Sequence, residues 1–153
     1  MKMKNKKAFT LIEIMVVVGL MAIMLLMPIL YTQASQVRFD FNTQVSTVVS
    51  YLRLAQSDAA AGRDNRKHGV HLASDSYTVF SGDSFNPSDG NNFAIVLPPT
   101  IEIRDVALNG GGSDIIFGGP NGETDTYGTF ELYSEQINKS LTVIVSQMGT
   151  INY

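Results

Sequence analysis

The sequence has no cysteine and no tryptophan, only two histidines and five prolines, and 16% charged residues in a chain of 153. Without cysteine there is no disulfide framework, no thiolate nucleophile, no cysteine-ligated zinc and no lipoprotein-type anchor. A body exported from the cytoplasm must then hold together by packing or by a bound ion. The shortage of charge argues against a disordered tail and against a strongly basic nucleic-acid binder. Positive charge is scarcer still once its position is considered. Four of the eleven basic residues are Lys2, Lys4, Lys6 and Lys7, and without the first eight residues seven basic side chains face fourteen acidic ones, a net −7. An acidic body repels phosphate backbones, so nucleic acid is a poor partner for it. The 44% of apolar residues suits a packed core, and the length suits one ordinary domain.

What is present is concentrated at the N-terminus. An apolar run extends from Ile14 to Tyr31, interrupted only by Gly19 and Pro28. As helix it spans roughly 27 Å, close to the hydrocarbon thickness of a bilayer. Ile14, Val18, Leu25 and Pro28 mark this membrane helix, with Pro28 expected to kink it or unpair a turn. The lysines orient it as a single pass of the cell inner (cytoplasmic) membrane, N-terminus cytoplasmic and body exported. Glu13 at its start costs on the order of 2.5 kcal/mol if it enters the bilayer, so it is expected to serve a purpose there.

One reading is an ordinary signal peptide, cut after Ala34 and releasing a secreted binding domain or hydrolase. The run is long for that, Thr32-Gln33-Ala34 is a poor cleavage site, and Glu13 is left without a role. The other reading takes the junction Lys6-Lys7-Ala8-Phe9-Thr10-Leu11-Ile12-Glu13 as the signal. It resembles the class III leader of type IV pilins and type II secretion pseudopilins. In that family a basic leader ends in a small residue, usually Gly and here Ala8, and a prepilin peptidase cuts before Phe. The resemblance implies cleavage and N-methylation at Ala8 and Phe9, and assembly of the apolar helix into a pilus or pseudopilus. It implies as partners the peptidase/N-methyltransferase, an inner-membrane assembly platform, the lipid bilayer and other pilin or pseudopilin subunits. Cleavage creates an ammonium on Phe9. In an apolar surrounding that ammonium and the Glu13 carboxylate are each costly alone, so a Glu13 meeting a neighbour's amine would set the register of assembly.

Beyond the run, Ala34, Val37, Phe41, Val45, Val48, Leu52, Ala55 and Ala59 recur at helical spacing, with Gln36, Arg38, Asp40, Asn42, Gln44, Ser50, Arg53 and Ser57 between them. This predicts an amphipathic helix over 32–61, stopped near Gly62, whose small and β-branched stripe suits a sheet laid across one face. From residue 67 to 153 the pattern turns to period two. Strands are predicted at Val70–Ala73, Tyr77–Ser81, Phe93–Leu97, Thr100–Val106, Asp114–Phe117, Thr129–Ser134, Leu141–Ser146 and Thr150–Tyr153. The expected fold is α+β: a leader over 1–8, a membrane and assembly helix over 9–31, and a pilin-like domain over 32–153 in which the helix packs on antiparallel sheet.

The body resembles the GspH/FimT-type minor pseudopilins and minor pilins. Tyr51-Leu52-Arg53-Leu54-Ala55-Gln56-Ser57-Asp58-Ala59 is similar to their end-of-helix segment. Ile115-Ile116-Phe117 with Gly122 and Gly128-Thr129-Phe130-Glu131-Leu132 are similar to their penultimate strands, and Leu141 to Ile151 to their closing hairpin. Members that bind DNA carry arginines after the final Gly. Here Thr150-Ile151-Asn152-Tyr153 is uncharged.

No catalysis is expected. There is no nucleophile elbow and no phosphate-binding glycine loop, and Gly110 to Gly112 fits a flexible turn. His68 and His71, three apart at a strand start, should point to opposite sides. Asp114, Asn121, Glu123 and Asp125 are an oxygen-rich set chemically suited to calcium, the one cofactor considered. Asn138-Lys139-Ser140 fits a glycosylation sequon, a pattern frequent by chance.

Overall fold

The structure, a computed structural model, describes residues 9–153, with the side chains of all of these except 26–36. The chain divides into two compact units, Met1–Gln36 and Val37–Tyr153. The fold is α+β. Helix α1, Leu11–Ala60, begins in the first unit and ends in the second, and its backbone stays helical through Pro28. In the second unit Phe41, Val45, Val48, Val49, Leu52, Ala55 and Ala59 are all buried. Asp40, Asn42, Ser46, Ser50, Arg53 and Ser57 on the other side are exposed or nearly so. The spacing of three and four thus places one apolar stripe under cover. Gly62, in the left-handed conformation at φ 64°, separates the helix from a 3₁₀ turn at Arg63–Asn65.

Nine strands follow: β1 His68–Leu72, β2 Ser76–Ser81, β3 Phe93–Val96, β4 Glu102–Leu108, β5 Asp114–Gly118, β6 Glu123–Thr124, β7 Gly128–Ser134, β8 Lys139–Val145 and β9 Ile151–Asn152. They form two antiparallel sheets rather than the one expected, in the orders β3-β2-β1-β5-β6 and β4-β7-β8-β9. Pro98-Pro99 carries no N–H for a ladder, so the chain leaves the first sheet there and β4 opens the second. Strand β5 then returns to pair with β1, an exchange that local periodicity cannot announce. Backbone bonds tie the sheets together: the N–H of Ile103 donates to Ser74 at 2.9 Å, and that of Thr124 to Gln147 at 2.9 Å.

Both sheets supply the core that meets the helix stripe. Val70, Tyr77, Ile115 and Phe117 come from the first, and Phe130, Leu132 and Val143 from the second. Near the helix end the packing is backbone against backbone. Gln56 Nε2 donates to the Gly122 carbonyl at 3.3 Å. A Cβ on Gly149 would lie 2.2 Å from Gln56 Nε2 and 2.3 Å from the Gly122 oxygen. Only glycine, here at φ 80°, lets these three segments meet. The buried Tyr77 and Ser134 hydroxyls find no partner among the described residues. Burial, with Tyr51 beside it, pushes the Tyr77 phenol up to about 12.

Candidate functional site

The N-terminal helix starts at a cap the strand and helix patterns do not reveal. The N–H of Glu13 donates to the Thr10 hydroxyl at 3.4 Å and to the Thr10 carbonyl at 3.1 Å, and the N–H of Ile14 donates to the same carbonyl at 3.3 Å. Thr10 is therefore the N-cap and Glu13 the third helical residue, where a carboxylate also favours the positive end of the helix dipole. The legible signal was Thr-x-x-Glu, the spacing of a capping box. Phe9 is 76% exposed just ahead of the cap. Every described side chain from Leu11 to Leu25, including Ile14, Val18 and Leu25, is exposed on all faces of the helix. Ala8 and the lysines lie outside the described residues, as do the side chains of the run from Leu26 to Tyr31, Pro28 among them. Among the described residues no helix is long and apolar enough to cross a membrane.

A basic segment, a capped helix start bearing a carboxylate and an all-round apolar helix thus follow one another within the first 25 residues. A family model described as the prokaryotic N-terminal methylation motif matches residues 3–27. The chain carries a prepilin-type signal. No curated protein and no solved structure matches the chain. The motif covers Ala8, Phe9 and Glu13 and points to a processed subunit of the type IV pilin and pseudopilin kind, a structural component that meets other subunits and the processing peptidase. Such a signal belongs to proteins that are anchored in a membrane and then assembled.

The body's candidate residues are not brought to one place. Asp114 opens β5 beside β1, where its Oδ1 meets His71 Nδ1 at 2.6 Å and its Oδ2 accepts the Phe85 N–H at 3.4 Å. The Phe85 ring stacks on His71, with centroids 4.1 Å apart. Glu123 pairs with Gly118 at the other end of β5 and takes a hydrogen bond from Asn121 Nδ2 at 3.2 Å. Asp125 offers its backbone carbonyl to Asn109 Nδ2 at 2.9 Å. The oxygen-rich set is thus split along a strand, and among the described residues no three His, Asp or Glu side chains converge as a metal site requires. His68 is buried, its Nε2 3.1 Å from the Arg63 carbonyl, so the two histidines do take opposite faces. The His71–Asp114 pair escaped the sequence because its members are 43 positions apart and only the β1–β5 register opposes them.

On the second sheet Arg104 Nε meets Glu131 Oε2 at 2.9 Å, and its guanidinium lies 3.6 Å over the Tyr133 ring. Hydrogen bonds from the Ser140 hydroxyl and from Arg104 hold the Glu131 carboxyl below the ordinary glutamate range. The bond to Glu131 raises the Arg104 guanidinium in turn, so the pair stays charged. It braces β4 against β7 and faces no cleft that suggests chemistry. Lys139 Nζ reaches Asn42 Oδ1 at 2.8 Å and ties β8 to the helix. Asn138 of the sequon is exposed at φ 45° in the turn before β8.

Proposed function

We propose that the protein is a minor pilin or pseudopilin of the GspH/FimT type, a subunit of a type IV pilus or a type II secretion pseudopilus. Prepilin peptidase hydrolyses the Ala8–Phe9 bond, leaving a carboxylate on Ala8 and an amine on Phe9 that is then methylated. The subunit stands in the inner membrane by a single helix spanning residues 9–31, with the body over 32–153 exported. Assembly draws that helix out of lipid and into a filament core against the helices of other subunits. The Glu13 carboxylate of one subunit receives the Phe9 ammonium of another, which offsets two desolvation costs at once and sets the axial step. No cofactor is required; calcium enters only as an ion for the acidic loops.

The observation that carries this reading is the helix from Leu11 to Leu25, apolar, exposed on every face and preceded by the methylation motif. Apolar surface of that extent needs an environment the chain does not supply, lipid first and other helices later. Mass spectrometry of the N-terminus of protein isolated from its own cells tests processing. Methyl-Phe9 is the expected end, and a retained lysine-rich octapeptide in cells with active peptidase overturns the proposal. Glu13→Leu tests assembly separately: the variant should be trimmed and membrane-bound yet missing from sheared filaments. Normal incorporation would remove the role assigned to Glu13.

A further inference from the structure

The two sheets end in four edge strands, and three of them are unsuited to a partner. Strands β6 and β9 are two residues long. Strand β4 is broken by a bulge between Arg104 and Ala107, has Asp105 at φ 51°, and carries Glu102, Arg104 and Asp105. Short length, bulges and charge are the devices that keep an edge from pairing. Strand β3 has none of them. Phe93-Ala94-Ile95-Val96 is uncharged and unbulged, with Phe93 55% and Val96 76% exposed.

The direction of its backbone groups follows from the ladder. The Leu97 N–H donates to the Asp75 carbonyl at 2.8 Å, and Ile95 and Phe93 lie opposite Tyr77 and Val79. Alternate residues of a strand turn their N–H and C=O to opposite sides. Leu97, Ile95 and Phe93 therefore address β2, and Ala94 and Val96 address the open edge.

We propose that β3 is an interface between two copies of this chain, whose first sheets join edge to edge, antiparallel, about a two-fold axis at Ile95. In that register Ala94 of one copy faces Val96 of the other, so each N–H meets a C=O and every open group on both strands is closed. The strand that fits must offer donors and acceptors two residues apart, and β3 offers them to itself. It must also be uncharged, since an acidic segment would be repelled by a body of net −7, and β3 opposes no like charges across the seam. Pro98, without an N–H, ends the pairing just past Val96. A two-fold contact of this kind is closed, so it joins subunits in pairs and is separate from any contact through α1 that propagates.

The test uses the full-length processed chain in detergent. Because the protein has no cysteine, Ile95→Cys introduces a single thiol. Across the axis the two positions form a non-hydrogen-bonded pair with Cα atoms about 4.5 Å apart, within disulfide reach. Mild oxidation should give a disulfide homodimer in far higher yield than Ser88→Cys, an exposed control in the β2–β3 loop. Adding Ala94→Pro to Ile95→Cys deletes only an outward N–H on each copy and should lower dimer yield at least about tenfold. Should that proline disturb folding, Val96→Lys in the same background places like charges across the seam at an already exposed position, with the same loss expected. Equal yields from the two cysteines, a yield indifferent to both Ala94→Pro and Val96→Lys, or linkage to a different polypeptide would each overturn the proposal.

Discussion

The two ends of α1 share a backbone and differ in what covers them. From Leu11 to Leu25 the side chains are apolar on every face and all exposed; from Phe41 to Ala59 they are apolar on one stripe and that stripe is buried. A stripe about a third of the circumference wide is what one flat partner can cover, and the two sheets provide it. An all-round apolar surface needs a surrounding instead. The second half of the helix therefore owes its stability to this chain, and the first half to whatever receives it.

Substitutions can sharpen that contrast. The largest effect is expected at the covered end: Phe41→Ala opens a cavity between the helix and both sheets and should cost about 3–5 kcal/mol of unfolding free energy in detergent. Val18→Ala, equally apolar but uncovered, should stay within about 0.5 kcal/mol in the same measurement. A large loss from Val18→Ala would mean that the body does shield the first half. Next comes the backbone knot that seats the helix end. Gly149→Ala drives a Cβ into Gln56 and the Gly122 carbonyl, for a cost on the order of 2–4 kcal/mol. Gly111→Ala, at φ 75° with nothing within 4 Å, should cost only about 1 kcal/mol of conformational strain. Matching losses would show that strain, and not the meeting of three segments, decides both.

The smallest effect lies on the sheet face away from the helix. Glu131 is held below the ordinary glutamate range by Ser140 and Arg104. On acidification the unfolded chain takes up its proton first, so the stabilisation is present above the ordinary range and is lost as pH falls through the lower folded value. Glu131→Gln should flatten that part of the urea-midpoint profile and leave the neutral side nearly level. An unchanged acid limb would show that the ion pair contributes nothing to stability.

How much of this was legible differs by region for a physical reason. Helix and strand identities were readable because periods of 3.6 and 2 are imposed by burial on one face, and Phe41, Val70, Ile115 and Phe130 keep to them. The division into two sheets was hidden. It depends on β5 passing over to β1 and on β4 finding β7 across an intervening hairpin, pairings between residues far apart in the chain. Strand β6 was missed because two residues cannot show a period. The grouping of Asp114 with Glu123 failed for the same reason as the sheets, since the loop looked continuous in sequence while β5 holds its ends apart. The N-terminal site was the most legible part, because its chemistry lies in consecutive residues read by an enzyme in linear order.

Linear order thus determined the basic leader, the Ala8-Phe9 junction, the position of Glu13 and the apolar helix behind it, none of which needs a folded body. Tertiary structure alone decided which carboxylate meets His71, which glycines let Gln56 dock, and which edge strand is left open. Those outcomes rest on registers between segments tens of residues apart, and register is set by what the whole core can bury at once.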